Sequence, residues 1–232
     1  KGPRVPRSTP AAVPRILIFM KNLAVLCLVL FVSTASSLLP KLLPEPTYTE
    51  YAKVARWAVA RTQFGTLSTT SVSLGGIPWG NVASVSDGIH SDVNGSNATG
   101  VLYFYLTSLD ETSQDLAANP VVSFAISKAT FPGASYCGDV SAEDPTCVRV
   151  TLSGKMITVT DKEERAFGIA ALYSKHPAMI DWPTAHDWQV WKLNITNIFL
   201  LDFYGGAHPI TLKEYHAAEL HGTTEKIVQN LK

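Results

Sequence analysis

The stretch from Asp181 to His208, DWPTAHDWQVWKLNITNIFLLDFYGGAH, gathers three tryptophans, a glycosylation sequon, two apolar runs and a Gly-Gly pair into 28 residues. From Val190 to Thr196, the residues Trp191, Leu193 and Ile195 alternate with Val190, Lys192, Asn194 and Thr196, the period of two of a half-buried strand. A second strand is expected from Ile198 to Tyr204, with Asp202 interrupting its apolar run. Gly205-Gly206 then supplies the positive φ of a tight turn. Two core strands fit any β-rich domain, so the remainder of the chain has to narrow the fold.

With 232 residues and 46% hydrophobic content, the chain can bury one substantial core. Its formal charge is zero, but residues 1–37 hold five of the Lys and Arg and no acid. The rest carries 14 basic and 19 acidic residues, which argues against a nucleic-acid partner that requires a basic face. Leu23–Val32, LAVLCLVLFV, follows Met20-Lys21 and precedes the small residues Ser33 to Ser37. A positive start, a short apolar core and a small-residue cleavage region predict a secretory signal peptide within an upstream segment 1–37, translation starting at Met20. A signal anchor and a basic transit peptide are the alternatives. The apolar core is short for a bilayer span, so no membrane span is expected once the leader is removed. Cys27 falls in the leader, leaving Cys137 and Cys147. In an exported protein two cysteines ten positions apart read as one disulfide; a zinc site competes, without a histidine at ligand spacing.

Residues 38–46 carry three prolines and are expected to be a linker. A domain over 47–220 follows, with a polar tail at 221–232. Thr47-Tyr-Thr-Glu50 has the form of a capping box for a helix from Tyr48 to about Arg61. Strands are expected at Phe64–Ser71, Trp79–Ser86, Val101–Leu106, Val121–Ser127 and Val148–Thr160, the last with a bend at Ser153-Gly154. Ser108-Leu-Asp-Glu111 is expected to cap a short helix ending at Asn119-Pro120. Thr160-Asp-Lys-Glu163 is expected to cap a helix to Ser174, and Thr211-Leu-Lys-Glu214 one to Leu220. The polar run Ile89–Gly100 holds the sequons at Asn94 and Asn97, and a third lies at Asn194, so all three asparagines are candidate glycan sites. This order predicts an α+β domain built on a mainly antiparallel closed or split barrel with short flanking helices.

His176, Pro177, Met179, Trp182, Pro183, His186 and Trp188, spaced HP-x-M-x-x-WP-x-x-H-x-W and followed by KLNITNI and DFYGG, closely resemble the CREG family of secreted glycoproteins. That family is related to the pyridoxamine phosphate oxidases. FGTLST, GIPWGN-x-x-S-x-SDG, YFYLTSL and Asp-Leu-x-x-Asn-Pro occur here in the order seen in split-barrel flavoproteins, and the resemblance covers about residues 50–216. It implies an FMN-binding-type split β-barrel and delivery to the extracellular space, lysosome or vacuole. It also implies roles in growth and differentiation control, a protein receptor as partner, and a homodimer pairing through sheet aromatics such as Trp191 and Tyr103.

No GxGxxG, P-loop, GxSxG or HExxH motif occurs. His176, His186 and His208, with Asp181 and Asp187, are candidates for an acid/base or metal cluster, but His-Pro and His-Asp pairs are more often turn and cap residues. Trp182, Trp188 and Trp191 are expected to be core or interface aromatics. The flavin members of the superfamily hold the cofactor phosphate with an Arg and a Lys on strand two, matching Asn81 and Ser86 here. A Ser-Arg-Lys run opens the helix after strand three, matching Asp110, Glu111 and Thr112. Acid stands where base is needed. The expectation is a non-catalytic binding or regulatory glycoprotein without cofactor, catalytic residue or metal; the alternative is an FMN-dependent oxidoreductase.

Overall fold

The computed structural model of the protein describes residues 43–89, 98–131 and 137–220. The expected leader, the first part of the linker, the sequons at Asn94 and Asn97 and the polar tail lie outside the described residues. Among the described residues, seven strands build one antiparallel sheet: β1 (Phe64–Thr70), β2 (Pro78–Ser84), β3 (Tyr103–Thr107), β4 (Val121–Ser127), β5 (Arg149–Thr158), β6 (Trp188–Leu201) and β7 (His208–Ile210). Four helices flank it: α1 (Tyr51–Arg61), α2 (Glu111–Ala118), α3 (Lys162–Lys175) and α4 (Leu212–Ala217). The strands run in the order β2-β1-β4-β5-β6-β3, with β7 also on β6. The two ends of this path meet where Ser86 and Tyr103 exchange backbone hydrogen bonds of 3.1 and 2.8 Å. A sheet that curls round and is joined by a single bridge is a split β-barrel.

Strand β6 is its spine. One edge pairs with β5 from Trp191 to Leu201, while the other pairs first with β3 and then with β7. The two strands expected at Val190–Thr196 and Ile198–Tyr204 are therefore one, ending at Leu201. Ser153 pairs with Asn197 but Gly154 with Ile195, so Thr196 is an extra residue and the strand carries a β-bulge. The bulge changes which parity faces inward: Leu193 and Ile195 are buried before it, Ile198 and Leu200 after it. Without a Cβ, Gly154 lets the chains approach. A Cβ there would overlap the Asn194 carbonyl oxygen and lie 2.9 Å from its carbon.

Alternation decides the barrel interior. Leu67, Phe104, Phe124, Val150, Leu152, Ile198 and Leu200 fill it, each buried to the last percent or completely. Helix α1 closes one end with seven consecutive buried residues, Val54–Ala60. Its single buried charge, Arg56, donates to the carbonyls of Ala98 (2.7 Å) and Tyr215 (3.3 Å), as a buried guanidinium must. A second cluster lies outside the barrel under α3, where Tyr103, Val159, Leu172, Met179 and Val190 pack together. Both faces of the first half of β6 are thus covered, so Val190 is fully buried although it alternates with Trp191. Cys137 and Cys147 are bonded to each other, with Cα atoms 5.2 Å apart.

Three helix starts differ from expectation. Glu50 folds back to accept from Thr47 N–H (3.2 Å) and Lys53 (3.2 Å), and α1 begins at Tyr51 rather than Tyr48. Asp110, not Ser108, caps α2, and Asp161, not Thr160, caps α3. In each of the last two pairs both residues are competent caps, so packing chooses between them. The box at Thr211 and Glu214 forms as read, though α4 stops at Ala217.

The bulge gives a direct test. Replacing Gly154 by Ala must push β5 and β6 apart at the centre of the sheet, and a loss of at least about 2 kcal/mol is expected. Urea unfolding measures it; an unchanged midpoint would mean that the close approach is dispensable.

Candidate functional site

The corner where β1 and β2 meet the start of α2 collects most of the residues singled out for phosphate binding. Helix α2 begins with free N–H groups and a positive dipole end, a natural anion site. Here the chain fills it with its own carboxylate: Asp110 Oδ1 accepts from Thr112 N–H at 2.7 Å. Asn81, on β2, donates its amide to both Asp110 oxygens (3.1 and 3.3 Å) and to the Thr112 hydroxyl (3.0 Å). Asn81 thereby selects Asp110 over Ser108 as the cap. Glu111 is the first residue of the helix rather than the third of a capping box. Its carboxylate accepts from the hydroxyls of Ser73 and Ser71, the latter at 3.4 Å, just beyond β1.

One turn further, the fully buried Asp115 accepts from the Thr69 hydroxyl (2.6 Å) and from Val72 N–H (2.8 Å). Asp110, Glu111 and Asp115 are thus held by Asn81, by hydroxyls and by backbone N–H groups. No Lys or Arg among the described residues is bonded to any of them. The corner presents acceptors where a phosphate needs donors. Ser71, Ser73, Thr69 and Asp115 carry no motif, and their partners lie about forty positions away, so sequence pattern alone does not expose them. Ser86 sits elsewhere, fully buried, donating to Gly88 O at 2.9 Å beside the barrel-closing bridge.

The histidines do not converge. His176 ends α3 with its ring 3.0 Å from Val85 O, His186 lies near Trp188, and His208 stacks on Tyr51 with centroids 4.0 Å apart. Among the described residues no group of three or more His, Cys, Asp or Glu can hold a metal. Asp187 occupies a left-handed turn (φ 50°) and accepts from the Gln189 amide, and Asp181 is exposed at the end of a 3-10 turn. Trp182 and Trp188 pack on each other (4.6 Å) and on Tyr105, and Trp191 packs on the barrel core. Tyr103 is buried under α3, and its hydroxyl donates to Glu164 at 3.2 Å. That burial, with the carboxylate beside it, pushes the phenol up to about 12. Tyr103 is therefore not the exposed pairing aromatic it was expected to be, because α3 covers it, while Trp191 stays partly exposed. Asn194 is exposed on the rim of a cleft of about 380 Å³, beside the Lys192–Glu164 ion pair (2.6 Å).

Together, the curled sheet, the bridge at Ser86 and the helix entering after β3 define a split β-barrel of the FMN-binding type. Two solved structures share it: a heme-binding protein from Mycobacterium smegmatis (TM-score 0.55, 24% identity, covering 76% of this chain and 62% of that one) and the protein Atu2129, of unknown function, from Agrobacterium tumefaciens (TM-score 0.55, 18% identity, covering 80% and 68%). Within that class, the family model described as "CREG, beta-barrel" matches residues 46–217, and the chain belongs to the CREG family. It is 36% identical to Protein CREG1 of Gallus gallus over 201 residues, 85% of this chain and 98% of that protein. To human Protein CREG2 it is 37% identical over 171 residues, 72% of this chain and 56% of that one. No helix among the described residues is long and apolar enough to cross a membrane.

Proposed function

We propose that the protein is a glycoprotein of the secretory pathway, extracellular or lysosomal, with a non-catalytic role of the growth and differentiation type, binding a protein receptor on a scaffold derived from a flavin enzyme. The observation that supports this most is the network at the start of α2. The phosphate of FMN is a dianion, and two carboxylates, Asp110 and Glu111, each already engaged within the chain, stand at the positions that the resemblance matches to its ligands. The residues present do not fit it. Each charge-assisted hydrogen bond forgone costs about 1.5 to 3 kcal/mol, so losing two weakens binding by roughly two orders of magnitude or more, before repulsion is added. Titrating FMN with the native protein and following flavin fluorescence is expected to show no saturable quenching. Quenching at submicromolar protein would restore the oxidoreductase reading.

Asn194 carries a glycan in this reading, together with at least one of Asn94 and Asn97. Its support is the sequon Asn194-Ile-Thr196 on β6, in which Asn194 and Thr196 are exposed while Ile195 points into the core. Treatment with an N-glycosidase is expected to sharpen and lower the electrophoretic band of the wild type, by a smaller step in an Asn194→Gln variant. Equal shifts in the two would remove Asn194 from the set.

A homodimer is the third part of the proposal, and its support is a row across the outer face of the sheet. Val82, Thr66, Ala125, Thr151, Phe199 and Pro209 stand opposite one another in successive strand pairs. Val82 is 68% and Phe199 46% exposed, and the smaller Thr66, Ala125 and Thr151 between them leave a shallow groove with apolar edges, suited to a twofold contact. Light scattering at micromolar concentration is expected to give twice the chain mass, and a Phe199→Glu variant to give the monomer. A monomeric wild type would reject the dimer.

A further inference from the structure

The sequence DFYGG places Asp202 immediately after β6, in step with the inward residues Ile198 and Leu200. It is 4% exposed, and neither carboxylate oxygen has a hydrogen-bond partner on any other residue; only its own backbone N–H lies close. A buried carboxylate without donors is costly when charged and tolerable when protonated. Around it the loop 202–207 is tied to the start of α1 by rings. Phe203 stacks on Tyr48 with centroids 4.7 Å apart, and His208, opening β7, stacks on Tyr51 at 4.0 Å. The φ angles of Gly205 and Gly206, 120° and 100°, let the loop turn this sharply.

None of the charged side chains on the neighbouring segments is bonded to the Asp202 carboxylate. Lys53 on α1 pairs with Glu50 (3.2 Å), and Lys128 after β4 pairs with Glu45 (2.6 Å). Arg149, on the outward face of β5 opposite Leu201, donates through one terminal nitrogen to Glu143 O at 2.8 Å, while its Nε is buried without a partner. His208 is the titratable neighbour whose charge acts on Asp202.

We propose that Asp202 is a protonation-dependent latch: as the neutral acid it lets the 202–207 loop and β7 dock on the start of α1, and its ionisation loosens that corner. Burial raises the Asp202 carboxyl above its ordinary value, and the charge of His208 and Asp202's own backbone N–H oppose this only in part. A folded-state value above the unfolded one means that the stabilisation is complete below the unfolded value and is lost as pH rises through the folded one. The latch is therefore closed in acid and weakened towards neutrality, the proton leaving to solvent.

Thermal unfolding of the wild type and of Asp202→Asn between about pH 4 and about pH 8 tests it. The amide mimics the neutral acid and has no proton to lose. Its melting temperature is expected to match the wild type in acid and to exceed it by several degrees near neutrality. Hydrogen exchange on the wild type alone, corrected for intrinsic pH dependence, is expected to show several-fold weaker protection of Ala207–Ile210 near neutrality than in acid. His208→Gln is expected to preserve both trends. A melting temperature of Asp202→Asn below wild type at neutral pH, with His208→Gln lowering it similarly, would show a required ion pair and overturn the proposal. So would failure of Asp202→Asn to fold, parallel pH profiles for wild type and Asp202→Asn, or pH-independent protection.

Discussion

The close approach of β5 and β6 at Gly154 is the constraint on which the barrel rests. Strand β6 must keep its inner face apolar over fourteen residues while pairing on both edges, and a sheet that curls this far cannot keep one register along its whole length. The extra residue Thr196 absorbs the difference, and a residue without a Cβ across from Asn194 makes the adjustment possible. Both edges depend on it. The first half of β6 delivers β3, whose Tyr103 closes the barrel against Ser86; the second half delivers β7 and the aromatic corner over α1.

Closing the barrel brings β2 over the start of α2, and there the chemistry of the fold is decided. A helix N-terminus offers its N–H groups to whatever anion is nearest. Because Asn81 holds Asp110 in place, the nearest anion is the chain's own, and Ser71 and Ser73 treat Glu111 in the same way. These contacts make the corner an internally satisfied junction between hairpin and helix. What then remains outside is the surface: the exposed row from Val82 to Phe199 and the glycan sequon on β6.

Most strands were legible because their alternation is local. Val121–Ser127 was read to the residue, and Ser153-Gly154 was read as a bend where the bulge falls. β6 was read as two strands for a physical reason: the bulge reverses the parity of its inward residues, and a period of two cannot follow such a reversal. The caps at Asp110 and Asp161 were each misplaced because a second competent cap lies within two residues, and the choice is made by tertiary contacts. The acidic pair Asp110 and Glu111 at the start of α2 was legible in the sequence. Their partners were not, since Ser71, Ser73 and Asn81 meet them only after the barrel closes. The burial of Tyr103 was equally hidden, because alternation does not say which outer face a helix will cover.

The account turns on whether the start of α2 leaves room for a flavin phosphate, and the absorbance spectrum of protein purified from its native source asks this without adding any ligand. A colourless protein, absorbing only in the aromatic ultraviolet, is the expected result. A yellow protein with flavin bands that persist through gel filtration would contradict it.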